Sequence, residues 1–539
     1  MRQELRTEVL VVGAGLGGVA AALGAVSRGA RVILTEENPW IGGQLTSQAV
    51  PPDEHPWIER FGATSRYRAL RTGIRDVYRR SYPLTAAARA RHDLNPGAGW
   101  VSKLCHEPRV AVGVLEEMLA PWRSSGRLLL LERVLPVSAT VDGDTVTSVT
   151  FASLLDGQQV TVCASYVVDA TETGELLPLT GTEYVTGFES WRETGEPSAP
   201  DQAQPDNVQA LSVCFVVEHV DGDHTIDRPE RYDFWRDFAP AQWNGARLVS
   251  WDAPSPRTSA MQTRTFTPNP GDDALAVNAD QSRDAGDGDL WTFRRIAARD
   301  LFQRGFYASD LCLVNWPSID YFLEPVLDVA PEVAANRIAD ARQLSLSMLY
   351  WMQTEAPRAD GGTGFPGLRL RPDVMGTKDG LAQAAYHRES RRIRAVTTVT
   401  ENDVSFAVRG ERGATAFPDS VGIGMYRIDL HPSTGGDGYI DVAATPFEIP
   451  LGALLPRRVV NLLAANKNIG TTHITNGCYR LHPVEWNVGE AAGHLAAHCL
   501  ATGLTPHAVQ AKADRLADLQ AELVHAGIEL HWPSGIRAY

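Results

Sequence analysis

At 539 residues the chain is long enough to bury a large core and to form two domains. Its 50 Lys and Arg against 65 Asp and Glu give a net charge of −15, which argues against nucleic acid as the main partner. Hydrophobic content of 44% and charged content of 21% are ordinary for a globular protein. No apolar run approaches the roughly 18 residues of a membrane span, so a membrane partner is not expected.

The cysteines at 105, 163, 214, 312, 478 and 499 are scattered without a C-x-x-C pair. That spacing excludes a cysteine-built zinc site or a redox dithiol and suits a reducing cytoplasm. The chain enters its first strand within about eight residues, so a signal peptide is not expected. The expected location is therefore cytoplasmic.

The first pattern in chain order is the richest. Val9 to Val12 is a β-branched apolar run, the pattern of a buried strand. It runs into Gly13-Ala14-Gly15-Leu16-Gly17-Gly18, a G-x-G-x-x-G match at Gly13, Gly15 and Gly18. Leu16, Val19, Ala20, Leu23 and Val26 recur at helical spacing, Arg31 to Thr35 reads as a second strand, and Glu36 closes the unit. The glycines allow a tight turn, backbone approach to a pyrophosphate, and helix packing on the strand. The helix N-terminus supplies N–H groups and partial positive charge to phosphates. A carboxylate at Glu36 accepts hydrogen bonds from a ribose diol. The unit predicts dinucleotide binding.

Glu36 to Gln44, with Gly42-Gly43 inside it, resembles the loop of flavoproteins related to glutathione reductase, fumarate reductase and amine oxidases. That resemblance implies FAD. Fumarate reductase relatives carry an attachment histidine near Gln44 to Gln48; none stands here, so the flavin is expected to be non-covalent.

Arg60 to Arg91 holds nine arginines and one acid, Asp76. Arg68, Arg71, Arg75 and Arg79 make one helical stripe opposite Tyr67, Leu70, Ile74 and Tyr78, read as an amphipathic helix with a solvated basic face. Cys105-His106 precedes a helix with Val110, Val114, Leu115 and Met118, and is read as structural. Leu128 to Val134 is a predicted strand, followed by a hairpin through Asp142-Gly143-Asp144. Tyr166 to Asp169 reads as a buried strand ending at Ala170-Thr171.

From about residue 181 the composition changes. Gly195 to Asn207 and Asp252 to Asp289 read as long loops, Ala210 to Val217 as a strand, and Val333 to Met352 as a long helix. Gly362 to Gly367 matches the glycine pattern again, but no strand precedes it and Pro366 interrupts it, so it is a loop. No second unit for NAD(P)H is found.

Tyr386-His387-Arg388-Glu389-Ser390-Arg391-Arg392-Ile393 resembles the R-E-S-R-R-I motif of the FAD-dependent oxidoreductase family found largely in bacteria. Asp419 to Gly424, Ile428-Asp429-Leu430-His431-Pro432, Pro446 to Pro450 and Asn461 to Gly493 are similar to further family segments. The resemblance implies an α/β fold: a Rossmann-like doubly wound FAD-binding domain with an inserted β-rich substrate domain. The expected division is 1–180 and 385–500 for FAD, 181–384 for substrate, and 501–539 as a helical extension.

The same resemblance implies FAD contacts at Gly13, Gly15, Gly17, Gly18, Glu36, Gly42, Gly43, Gln44, Val134, Ala170, Thr171, Asn466, Asn468, Asn487, Val488 and Gly489. In it, Val459 to Ala465 is a strand, and Gly489 to Gly493 lies near the start of a helix whose N–H groups face the flavin.

For catalysis the first choice is His473, expected in a flavin-side loop Asn468 to Gly477, because imidazole titrates near neutrality. His387 is the second choice. Arg388, Arg391 and Arg392 are candidates for a substrate carboxylate, or pair internally with Glu389. With this stretch extended, Arg388 and Arg392 share one face. His494 and His498 sit at i, i+4, but no glutamate accompanies them; they are read as helix surface, and no metal site is expected.

The expected activity is dehydrogenation or desaturation of a small organic substrate, with electrons passing from the flavin to oxygen or another acceptor. A flavin monooxygenase fed by NAD(P)H or a reductase, and a non-redox FAD-stabilised macromolecule-binding protein, stay open as alternatives. The expected partner is a small-molecule substrate, with a homo-oligomer left open.

Overall fold

The computed structural model describes residues 3–277, 288–536 and 538. Its largest sheet begins with β1 (Gln3–Val12), followed by α1 (Leu16–Ser27) and β2 (Val32–Glu36). β1 and β2 pair in parallel from Val9 with Val32 to Val12 with Thr35. All five residues of β2 are buried, as expected of a parallel strand covered on both faces.

Four further strands follow: β3 (Leu128–Glu132), β4 (Val134–Asp142), β5 (Thr145–Ser153) and β6 (Gln159–Asp169). The order is β3-β2-β1-β6-β5-β4, and β6 runs parallel to β1. β5 covers the first part of β6, and strand Leu462–Ala464 pairs in parallel with Val167 to Asp169 at its end. The carboxyl ends of β1, β2, β6 and this last strand therefore converge, which is where open α/β sheets bind ligands.

The predicted hairpin forms between β4 and β5, with Gly143 at φ 57° in the turn. Two strands are shorter than their patterns. Val459 to Ala465 contributes only Leu462–Ala464, and Ala210 to Val217 splits into Leu211–Ser212 and Phe215–His219, which join different sheets.

Residues 211–393 supply two small antiparallel sheets. One orders Arg295–Ala297, Leu311–Val314, Phe215–His219 and Leu368–Leu370; the other orders Asp320–Tyr321, Leu211–Ser212 and Tyr386–His387. The predicted long helix is Pro331–Thr354, and it buries Ala341, Leu344, Met348 and Met352. It packs into an aromatic core with Trp235, Trp243, Trp251, Trp291 and Trp316. Asp252 to Asp289 is not wholly loop, because Asp252–Pro254 and Met261–Thr263 pair as a short hairpin. Residues 278–287 of that stretch lie outside the described residues.

The basic stripe forms α2 (Ser65–Ser81), but its face is not solvated. Arg71 and Arg75 are buried, Arg71 paired with Glu54 at 3.2 Å and Arg75 with Glu59 at 2.6 Å; Arg71 also pairs with Glu59. Arg68 pairs with Glu529 at 2.7 Å. The neutralising acids lie in the preceding loop and near the C-terminus, outside any helical window. Burial alone would raise the Glu59 carboxyl, yet Arg75 and Arg71 hold it at about 2.

Helix His482–Thr502 corrects two expectations. Gly489 lies two turns inside it, so it is not near the helix start. His494 and His498 are buried rather than on its surface: His494 meets Arg66 at 3.2 Å and His498 meets Glu522 at 3.1 Å. This helix runs between α1 and helix Ala513–His525, and it is buried nearly all round from His482 to Cys499, its polar residues included. Among the described residues no helix is long and apolar enough to cross a membrane.

Candidate active site

The glycine turn after β1 opens a groove of about 430 Å³ at the carboxyl ends of the strands. Gly13, Gly15, Glu36, Gly43, Val134, Ala170 and Thr171 line it, together with Leu135, Pro136, Glu172 and Glu175. Gly13 has φ 91°, and a Cβ there would lie 2.5 Å from the carbonyl oxygen of Ala170. Gly18 is held by packing, since its Cβ would meet the Gly13 carbonyl at 1.8 Å. Gly42, at φ 107°, turns the chain beside Leu115 and Thr46.

Glu36 ends β2 almost fully buried. Its carboxylate accepts from the Ala14 N–H at 3.0 Å and the Asn38 N–H at 2.7 Å. Burial pushes this carboxyl up to about 7, against the hydrogen bonds from Asn38 and Ala14.

At the start of α1, the Gly17 N–H donates to Glu485 at 2.9 Å. A carboxylate thus takes the place that a helix N-terminus offers to an anion. A Cβ on Gly15 would lie 3.2 Å from both Glu172 and Glu485. Lys467 pairs with Glu172 at 2.5 Å, and burial pushes the Glu485 carboxyl up to about 7 against the pull of Lys467. The turn after strand Leu462–Ala464 is tied to β6, because Asn466 donates to the Ala170 carbonyl at 3.2 Å and Asn468 to the Asp169 carbonyl at 3.0 Å.

Gln44 links this groove to a second cavity. Its amide donates to Glu485 and, at 3.2 Å, to the carbonyl of Arg480, while its own buried carbonyl oxygen has no partner among the described residues. Arg480 lines a cavity of about 790 Å³ with Asp53, Trp100, Arg294, Tyr386, Arg388, Asp429, His431, Tyr439 and Asp441. Strand Ile428–Leu430 brings Asp429 to this wall, and Asp320–Tyr321 lies beside it. The His431 Nδ1 lies 2.5 Å from Asp320, and its Nε2 lies 3.4 Å from Asp429. Asp320 also accepts from Ser212 at 2.7 Å and pairs with Arg388 at 3.0 Å. Burial alone would raise both aspartates; Arg388 with His431 for Asp320, and His431 with Arg480 for Asp429, hold them below the usual carboxylate range.

The predicted histidines lie elsewhere. His473 is not in a loop but opens helix His473–Tyr479, capped by Thr472. It is buried, stacks on Phe188 at 4.3 Å and pairs with Glu389 at 3.0 Å, and it lines neither cavity. His387 sits on the far side of Tyr386–His387, against a smaller pocket of about 270 Å³ shared with Arg388 and Glu389. Burial pushes its imidazole down to about 4.

The R-E-S-R-R-I stretch is not one extended strand. Tyr386–His387 and Arg392–Ile393 belong to different sheets, so Arg388 and Arg392 do not share a face. Arg388 reaches the large cavity, Arg392 pairs with Glu389 and Glu189, and Arg391 pairs with Asp328 at 2.7 Å. Asn487 turns toward Val421, donating to its carbonyl at 3.2 Å, and Gly489 packs on Gly17; neither lines the groove, nor does Val488. Cys105 and His106 are buried, the thiol pushed up to about 12 and the imidazole down to about 4 by loss of water.

His431, Asp320, Arg294 and Arg480 escaped the sequence reading. His431 stood in a quoted segment, Ile428 to Pro432, but nothing local marks Asp320 as its partner 111 positions away. Arg294 carries no motif.

The family model described as FAD dependent oxidoreductase matches residues 8–523. The chain belongs to this family, and its cofactor is FAD. The groove fits that cofactor: Gly13, Gly15 and Gly43 without side chains along it, a buried acid at the end of β2, apolar Val134 and Pro136 on one wall, and nearby a buried Gln44 carbonyl without a partner among the described residues. No curated protein matches this FAD dependent oxidoreductase.

Among solved structures it resembles the anhydrotetracycline hydroxylase OxyS from Streptomyces rimosus, at 11% identity over 96% of this chain and 66% of that one, TM-score 0.31. It resembles the L-proline dehydrogenase from P. horikoshii at 13% identity over 35% of this chain and 26% of that one, TM-score 0.19. A glycerol-3-phosphate dehydrogenase from Bacillus halodurans complexed with FAD matches at 16% identity over 40% of each chain, TM-score 0.22. The matched part spans less than half of either dehydrogenase. By their names these neighbours are a hydroxylase and two dehydrogenases.

Proposed function

We propose that the protein dehydrogenates or desaturates a small organic substrate in the 790 Å³ cavity, with His431 taking the proton. The observation that carries this is the Asp320–His431–Asp429 arrangement, with separations of 2.5 and 3.4 Å, in which His431 and Asp429 line the cavity and Asp320 is buried behind them. Asp320 holds Nδ1 as the donor and fixes the ring, which leaves Nε2 as the atom that exchanges a proton. Once Nε2 carries that proton, the Asp429 carboxylate beside it stabilises the imidazolium. Asp320 is itself fixed by Ser212 and Arg388, so the imidazole is oriented before substrate arrives.

FAD, when bound, supplies the hydride acceptor. The chain's part is to bring a substrate C–H to it and to remove a proton. Gln44, hydrogen-bonded to Arg480, connects the groove to the cavity, which supports a flavin reaching from one toward the other. Reoxidation by oxygen or another acceptor completes the cycle.

The test is anaerobic mixing of the holoprotein with candidate substrates. Bleaching of the flavin by substrate alone, with no nicotinamide present, is the expected result. Flavin that bleaches only with NADH or NADPH, followed by oxygen uptake and a hydroxylated product, would make the protein a monooxygenase instead.

A further inference from the structure

Five arginines, Arg257, Arg294, Arg388, Arg427 and Arg480, line the cavity that holds His431. Arg257 and Arg427 share Asp441, the former at 2.8 Å. Arg388 meets Asp320 at 3.0 Å, and Arg480 meets Asp429 at 2.9 Å. Arg294 is the least well matched: Asp53 lies 3.6 Å from it, beyond a hydrogen bond.

Arg294 carries the largest unmet hydrogen-bonding capacity of these arginines among the described residues. Its Nε and Nη1 are buried and have no hydrogen-bond partner among the described residues. The Nε atoms of Arg388 and Arg480 are in the same condition. A buried donor left unpaired is costly, so three such arginines around one cavity are a set of donors awaiting acceptors. Burial raises the Asp53 carboxyl in spite of Arg294. The Phe293 ring lies 5.1 Å from the Arg294 guanidinium and Tyr386 lies 5.0 Å from that of Arg388, so the cations stand against aromatic walls. Such walls exclude water and strengthen a charge–charge contact.

We propose that this cavity takes an organic carboxylate, with Arg294 as its counter-ion and Arg388 and Arg480 as further donors. The inference rests on the large cavity being the substrate site. It narrows the substrate class from a small organic molecule to an organic acid whose carboxylate is fixed at Arg294 while another carbon is oxidised. A ligand without acceptors there would leave the buried Nε and Nη1 of Arg294 unpaired, with Asp53 beyond hydrogen-bond reach.

The experiment uses the holoprotein without air. Acetate, succinate, glutarate, benzoate and phenylacetate are titrated in, alongside their primary amides and inorganic phosphate. Flavin absorbance and melting temperature are both read. At least one carboxylate should perturb the flavin saturably and raise the melting temperature, with its amide roughly tenfold or more weaker. Arg294→Gln should weaken carboxylate binding about 10–100-fold, the range of one charge-assisted hydrogen bond, and leave amide binding unchanged.

Arg294→Lys, which keeps the charge, should fall between the two, and it carries the comparison if the glutamine variant loses its flavin. Equal affinity for acid and amide, no saturable carboxylate effect, or phosphate binding tighter than every carboxylate each overturns the proposal. Carboxylates that bind without bleaching the flavin support the proposal, since acetate, benzoate and phenylacetate have no vicinal C–H pair to lose; the dehydrogenase reading falls only if no acid with such a pair bleaches it. Bleaching by a neutral compound, with carboxylates inert, overturns the proposal and supports the dehydrogenase reading.

Discussion

Gly489 of helix His482–Thr502 stands against Gly17 of α1 so closely that a Cβ on Gly489 would lie 1.9 Å from the Gly17 carbonyl oxygen. One turn on, a Cβ on Gly493 would lie 2.0 Å from the carbonyl of Ala21. The two helices touch backbone to backbone, and Gly17 belongs to the nucleotide turn. Gly489→Ala should therefore force α1 away from its place. Overpacking typically costs about 1–3 kcal/mol, and a lowered melting temperature with less flavin per chain is expected. Gly113→Ala is the control, since its Cβ would meet nothing within 4 Å and alanine favours a helix. A Gly489→Ala protein that melts like wild type with full flavin would show that the helices part without penalty.

Glu36 is the next test. Glu36→Arg places a cation where a ribose diol needs acceptors, and Glu36→Gln keeps the shape while losing the charge. Loss of charge-assisted hydrogen bonds of about 1.5–3 kcal/mol predicts FAD binding roughly 10–100-fold weaker for glutamine, and weaker still for arginine. Both are read by titrating apoprotein with FAD. Wild-type affinity in Glu36→Arg removes this acid from the site.

The nucleotide end was legible because its signals are local. The run Val9 to Val12, the glycines and Glu36 all lie in one stretch, and each is dictated by a nearby backbone need. The cavity was not legible, because it is assembled from distant pieces: Asp53, Arg294, Asp320, Arg388, Asp429, His431 and Arg480 come from loops and strands across the chain. The same reason misplaced the arginines of α2, whose partners Glu54 and Glu59 precede the helix. His473 misled because its setting resembled a flavin-side loop, whereas Thr472 caps a helix there and Glu389 takes its imidazole inward.

Glu389 gives a pH prediction. Burial alone would raise its carboxyl, but His473 and Arg392 outweigh it and hold it at about 2. The folded form thus binds the proton less readily than the unfolded chain, whose carboxyl titrates near its ordinary 4.5. The resulting stability is fully present above that ordinary value and is lost as the pH falls toward 2. Glu389→Gln should lower the melting temperature at neutral pH and flatten its decline in acid. A variant with the wild-type slope between those two values would show that other carboxylates carry the acid limb.

His431 is the decisive residue for the chemistry. His431→Asn keeps a polar group between Asp320 and Asp429 but cannot take up a proton. General base catalysis typically contributes about 10²–10⁴-fold, so flavin reduction by substrate should slow by that order while FAD stays bound. Two readouts separate a base from a merely structural imidazole. The ionisation limb in the pH profile of flavin reduction should vanish in the variant, and added imidazole should restore part of the rate by entering the vacated space. Reoxidation of flavin reduced chemically beforehand should stay at the wild-type rate, because the proton is taken before electrons leave. His473→Ala, by contrast, should lower the melting temperature through loss of the Glu389 pair and leave the pH limb in place. If the asparagine variant reduces its flavin at the wild-type rate while His473→Ala does not, the base is His473 acting from outside the cavity, and the Asp320–His431–Asp429 arrangement is structural.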